Sequence, residues 1–128
     1  MLRLVANVVV YQCAWFACVL GAAANRPWLG IAAAAAAVLL HLYLAPSPRR
    51  ELPLILLATL AGAAFESLLV ASGWVRPSPA LLVGSVMPVW MVALWAAFAT
   101  TLNVSLRALR HRYLVTAVIA AVGAPLAY

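Results

Sequence analysis

Residues 52–74 read LPLILLATLAGAAFESLLVASGW. As a helix, these 23 residues extend about 34 Å at roughly 1.5 Å per residue. That is enough to cross a hydrocarbon core of about 30 Å. One ionisable residue, Glu66, interrupts the stretch. A charge at such depth costs about 2.5–3.5 kcal/mol on insertion scales, so Glu66 is expected to face protein or trapped water rather than lipid tails.

The rest of the chain repeats this composition. Of 128 residues, 69% are hydrophobic and 8% charged, and the mean hydropathy is +1.12. A soluble globular chain carries about a quarter charged residues. With so little polar surface to present to water, lipid must be part of the solvent. The formal net charge of +6 comes from eight arginines and no lysine against Glu51 and Glu66. In a soluble protein this would point to nucleic acid. Here the arginines fall between apolar runs, where membrane topology and anionic headgroups account for them, and no nucleic-acid partner is expected. Cys13 and Cys18 stand about 140° apart on one helix. They cannot bridge each other there and read as small apolar fillers.

Taken in order, the chain divides into five apolar runs separated by short polar turns. The first, residues 4–24, carries Asn7, Tyr11, Trp15 and Cys18 on one stripe that is expected to pack against other helices. A cleavable signal peptide is the rival reading, but the run is longer than such an h-region and contains Asn7, Gln12, Trp15 and Phe16. The second run, residues 28–44, opens after Pro27 and contains six consecutive alanines at 32–37. Small side chains let backbones approach closely in lipid, so this helix is expected at the centre of the bundle. The turn at 45–51, APSPRRE, leads into the third run, residues 52–74. A loop with Arg76, Pro77 and Pro79 leads to the fourth run, residues 80–102, and the basic segment 103–112 to the last, residues 113–128. No strand is expected. The fold class is therefore an all-α polytopic membrane helix bundle of five spans in one domain, its short loops making consecutive helices antiparallel neighbours. Arginine counting sets Arg3, Arg49, Arg50, Arg107, Arg110 and Arg112 against Arg26 and Arg76. The first set is expected to be cytoplasmic, with the N-terminus.

Three sets of residues are candidates for function. The first is intramembrane: Glu66, Ser67 and Ser85. If the fourth run is one continuous helix, Pro88 lies level with Glu66 and pushes aside the carbonyl of Gly84. A neutral Glu66 would donate to that carbonyl region or to Ser85, as a clamp between the third and fourth helices. The alternative is a proton or cation site, or the polar end of a lipid pocket. The second set is a polar patch near the cytoplasmic face: His41, Thr100, Thr101 and Asn103. Ordinary interfacial polarity is the simpler account of it. The third is Arg107, Arg110 and Arg112, placed to meet anionic lipid headgroups. No metal-ligand spacing, phosphate loop or nucleophile elbow occurs, and two acidic residues with one in a loop do not make a hydrolytic carboxylate pair. No cofactor is expected.

Certain residues carry a resemblance. They are Asn7, Gln12, Trp15-Phe16 and Cys18-Val19-Leu20-Gly21 in the first run, and Glu66-Ser67 in the third. In and after the fourth run they are Pro88, Trp90, Leu94-Trp95, Phe98, Thr100-Thr101-Leu102-Asn103 and Ser105-Leu106, followed by Gly123, Pro125 and Tyr128 near the end. The chain resembles a family of small bacterial inner-membrane proteins, the domain of unknown function 2878. The resemblance covers nearly the whole sequence. It implies a helical inner-membrane protein, a chain truncated after Tyr128, and work related to membrane lipids, because members lie near genes for lipid modification. It implies no established activity.

The expected function is thus a non-enzymatic accessory or lipid-handling component of the bacterial inner membrane, with membrane lipids as partners and a homo-oligomer or larger complex as its setting. A small proton- or cation-coupled transporter built around Glu66 is the alternative. A membrane-embedded lipid-modifying enzyme is the third, and it requires His41 and Asn103 to converge near a headgroup.

Overall fold

The computed structural model describes residues 2–76, 82–83 and 87–104. Four helices account for nearly all of these: α1 (Leu2–Ala23), α2 (Pro27–Leu44), α3 (Pro48–Ala71) and α4 (Val89–Leu102). The first three are long and apolar enough to cross a membrane. The architecture is an all-α bundle, as the apolar runs predict. The last run, residues 113–128, lies outside the described residues.

Local chemistry explains where the helices stop. After α1, Asn25 takes a left-handed conformation, φ 56°, which asparagine tolerates better than most residues. The Arg26 N–H then donates to the Gly21 carbonyl at 2.7 Å, and the Asn25 N–H to Ala22 at 3.1 Å. After α3, Gly73 adopts φ 75°. The Trp74 N–H reaches Leu69 at 3.1 Å and the Gly73 N–H reaches Val70 at 3.0 Å. Both are Schellman ends, which satisfy carbonyls that a helix otherwise leaves open. At the start of α3, Pro48 opens the helix and Pro53 lies within it. The carbonyl that Pro53 displaces belongs to Arg49, still close to the polar turn, where the loss is small. The third helix therefore begins four residues earlier than its apolar run, taking in Arg49, Arg50 and Glu51.

The fourth helix departs from expectation. Residues 80–102 are not one helix. Leu82–Val83 pairs antiparallel with Met87–Pro88, and α4 begins only at Val89 with Pro88 as its extended N-cap, φ −73° and ψ 129°. The proline marks the helix boundary instead of kinking an interior, because it has no N–H to give to a preceding turn. At 14 residues, α4 is about 21 Å long, less than the hydrocarbon core.

Among the described helices, α4 rather than the alanine-rich α2 is the one that packs on all the others. It packs against α1, α2 and α3, whereas α2 packs mainly on α1 and α4 and scarcely touches α3 despite the short loop between them. Consecutive helices are thus not always neighbours. Small residues make the close approach possible. Ala14 and Cys18 of α1, Ala34 and Ala37 of α2 and Ala97 of α4 form one buried cluster, with Val10, Tyr11, Trp90 and Leu94 against it. Of the stripe Asn7, Tyr11, Trp15 and Cys18, Tyr11 and Cys18 face this core and Asn7 reaches α4, whereas Trp15 is half-buried and stacks edge-on with Phe16 of its own helix. At Gly30 a Cβ would collide with the backbone of Cys18, so α1 and α2 touch backbone to backbone there. Outward-facing leucines such as Leu56, Leu57, Leu60 and Leu68 are exposed, as a lipid-facing surface requires.

Candidate functional site

Two places in the bundle hold polar side chains in an apolar setting. The first is the α3–α4 contact. Gly62 and Glu66 stand one turn apart on α3. The Trp95 ring lies directly over Gly62, where any Cβ would overlap it. From that position the Trp95 indole N–H donates to Glu66 Oε1 at 3.4 Å. Trp95 is in turn held edge-on by Phe98, with ring centroids 5.7 Å apart at 88°. Glu66 therefore acts as an acceptor toward α4. Pro88 displaces no helical carbonyl, so the expected reason for Glu66 to donate there falls away. Gly84 and Ser85 lie outside the described residues. Ser67 donates to the Ala63 carbonyl of its own helix at 2.7 Å, and Thr59 does the same to Ile55 at 2.6 Å, the usual way for a hydroxyl to be satisfied in a helix.

The second place is the end of the bundle where α1 begins, α2 ends, α3 begins and α4 ends. Here Glu51 is the hub. Its Oε2 accepts from His41 Nε2 at 3.3 Å and from Asn103 Nδ2 at 3.1 Å. One carboxylate oxygen thus joins α2, α3 and the C-cap of α4. Helix polarity favours the arrangement, since Glu51 sits in the first turn of α3 and His41 in the last turn of α2, where an anion and a cation respectively are stabilised. The pair is sheltered, with side chains 8% and 18% exposed. Alongside, Asn7 Nδ2 of α1 donates to the Thr100 carbonyl of α4 at 3.3 Å.

Of the four residues expected as a polar patch, His41 and Asn103 do come together, through Glu51. Thr100 and Thr101 are buried, and their hydroxyls turn back to Ala97 and Phe98 of their own helix, each at 2.7 Å. Sequence reading missed Glu51, Asn7 and Arg3 at this end. The helix-terminal positions of Glu51 and His41 on either side of a tight turn are the signal that could have paired them. Arg107, Arg110 and Arg112 lie outside the described residues.

Next to the hub is a cavity of about 320 Å³, at the lower end of the roughly 300–1,000 Å³ typical of small-molecule sites. Its walls are mostly apolar: Ala6 and Val10 from α1, Ala37, Leu40 and Leu44 from α2, and Val104 after α4. Arg3, Asn7, His41 and Glu51 supply its polar side. Leu40 and Leu44 are also exposed on the outside of the bundle, so the apolar wall runs on to the lipid-facing surface. Among the described residues no group of His, Cys, Asp and Glu could hold a metal ion.

A bundle of long apolar helices, with its few polar groups paired inside or gathered at one end, is an integral membrane protein. The chain belongs to the family described as Protein of unknown function (DUF2878), which it matches over residues 4–128. Neither a curated protein nor a solved structure matches it.

Proposed function

We propose that this protein is a non-enzymatic lipid-handling component of the bacterial inner membrane, with the cavity beside Glu51 as its working site. The observation that carries the reading is the make-up of that cavity: apolar walls, a polar side at the helix ends, and a wall continuous with the outer surface through Leu40 and Leu44. An amphiphile's chain can enter such a space from the bilayer without crossing water, while its headgroup stays at the interface. The arginine distribution favours the cytoplasmic side for this end. The test is lipid retention. Ala6 is exposed on the cavity wall, so Ala6→Trp fills the space without entering the core. Purified wild type should carry tightly held lipid that the variant loses, and equal retention would overturn the reading.

A lipid-modifying enzyme is the second reading, favoured by the convergence of His41 and Asn103 on Glu51. An imidazole oriented by a carboxylate is a general-base arrangement. If it holds, His41→Gln removes a lipid turnover that wild type performs in vesicles. If vesicle lipids are unchanged by wild type, that reading fails.

A further inference from the structure

We infer that the cavity selects amphiphiles whose headgroup is anionic, and that Arg3 is the residue that meets the charge. The inference rests on the lipid-handling reading above and names its ligand class. The ground is the balance of charge at this end. Glu51 is the one acid there among the described residues, and its Oε2 is already taken by His41 and Asn103. Arg3 lies on the cavity wall, and among the described residues no carboxylate comes within ion-pair distance of it. Arg49 and Arg50, directly before Glu51, are exposed on the same turn. With Arg3 on the cavity wall and Arg49 and Arg50 in the first turn of α3, three guanidinium groups against one engaged carboxylate leave a positive excess at this end of the bundle, which draws anions and repels cations.

The chemistry of arginine narrows the ligand. A guanidinium presents a planar fork that matches phosphate or carboxylate oxygens two at a time. A zwitterionic headgroup would bring its own ammonium into the positive field, whereas a phosphodiester with an uncharged alcohol or a carboxylate would not. The apolar walls formed by Val10 and Leu40 offer a chain the contacts that a small soluble anion lacks.

The experiment is native mass spectrometry of the full chain, released from mixed micelles holding equal phosphatidylglycerol and phosphatidylcholine. Wild type should retain the anionic lipid roughly fivefold over the zwitterionic one, the factor that about 1 kcal/mol per arginine near an anionic surface corresponds to. Arg3→Gln should bring the ratio close to one while lipid still binds, and Arg3→Lys should keep most of the preference. Equal binding of both lipids by wild type, abolished in Ala6→Trp, would overturn the charge inference and leave the lipid-handling reading standing. Lipid retention unaffected by Ala6→Trp would overturn both. Millimolar inorganic phosphate should leave the lipid adduct in place. If it displaces the adduct completely, the ligand is a soluble phosphate, and the inference of an amphiphile fails.

Discussion

The indole N–H of Trp95 and the carboxyl of Glu66 join α4 to α3 at 3.4 Å, directly above the glycine that lets the ring in. Glu66 needs only to accept, and a glutamine carbonyl can accept equally well. Glu66→Gln should therefore leave stability nearly unchanged, while Glu66→Ala should lose about 0.6 and at most about 1.7 kcal/mol, the range of interhelical hydrogen bonds in lipid. Unfolding in mixed micelles measures both. A double-mutant cycle with Trp95→Phe should return a coupling of the same size, and a coupling of zero would remove the clamp. If Glu66 instead serves transport, Glu66→Gln will stop proton or cation flux in liposomes and leave the fold intact, because an amide cannot titrate.

Gly62→Ala is expected to cost more than the loss of that bond. The added Cβ overlaps the Trp95 ring, and the ring is backed by Phe98, so it has nowhere near to go. Overpacking of this kind typically costs 1–3 kcal/mol, as an order of magnitude. Combining Gly62→Ala with Trp95→Ala should recover much of the loss, since the obstacle is a side chain.

Gly30→Ala should behave differently. Its obstacle is the backbone of Cys18 as well as the sulfur, which would lie 3.0 Å away. Truncating the neighbour to Cys18→Ala removes the thiol and leaves the main chain, so no rescue is expected. Helices α1 and α2 must then separate, and a spin-label pair across them should report a longer distance in Gly30→Ala and in the double variant alike. Rescue by Cys18→Ala would show that the contact is not backbone to backbone.

Two tryptophans on α4 invite a direct comparison. Trp90 Nε1 is buried without a partner among the described residues, whereas Trp95 Nε1 has Glu66. Removing an unsatisfied donor relieves a desolvation cost, whereas removing a satisfied one leaves its acceptor stranded. Trp90→Phe should therefore be neutral or stabilising, and Trp95→Phe destabilising, when the two are unfolded under the same conditions. The reverse order would mean that Trp90 is the residue with the important bond.

The proposed orientation has its own check. Ser47→Cys should be shielded from membrane-impermeant thiol reagents in intact cells, and Arg76→Cys should be labelled, both in a background without Cys13 and Cys18. Replacing Arg107, Arg110 and Arg112 together with glutamine should weaken the bias, since it halves the arginines assigned to the inner side. Labelling at Ser47 from outside would reverse the orientation.

Much of the bundle is legible in the residues themselves. The first three spans follow from hydropathy and length, which need no knowledge of neighbours. One of their ends follows from turn chemistry, since Asn25 before Arg26-Pro27 accepts left-handed backbone; the third run, read through Trp74, instead stops at Ala71, where Gly73 takes φ 75°. Three members of the stripe Asn7, Tyr11, Trp15 and Cys18 were readable as inward-facing, because polar and aromatic residues stand out on an otherwise aliphatic helix; Trp15 is not in the core.

What the residues did not disclose is azimuth and partnership. Helices α2, α3 and α4 are apolar nearly all round, so no polar face says which side is buried. Counting residues down a helix estimates depth but assumes where the helix begins. For the fourth run that assumption fails at Pro88, and with it the depth argument that set Glu66 level with a displaced carbonyl; the expected partners Gly84 and Ser85 lie outside the described residues. Trp95 reaches Glu66 because α4 starts at Val89 and lies across α3. In the same way His41 and Asn103, 62 positions apart, meet only because α4 lies between α3 and the α1–α2 pair and brings its C-cap to Glu51. Sequence alone determined that this chain lives in a membrane and roughly where it crosses. Tertiary packing decided which polar groups find one another, because in lipid each of them is driven to a partner that only the placement of whole helices can supply.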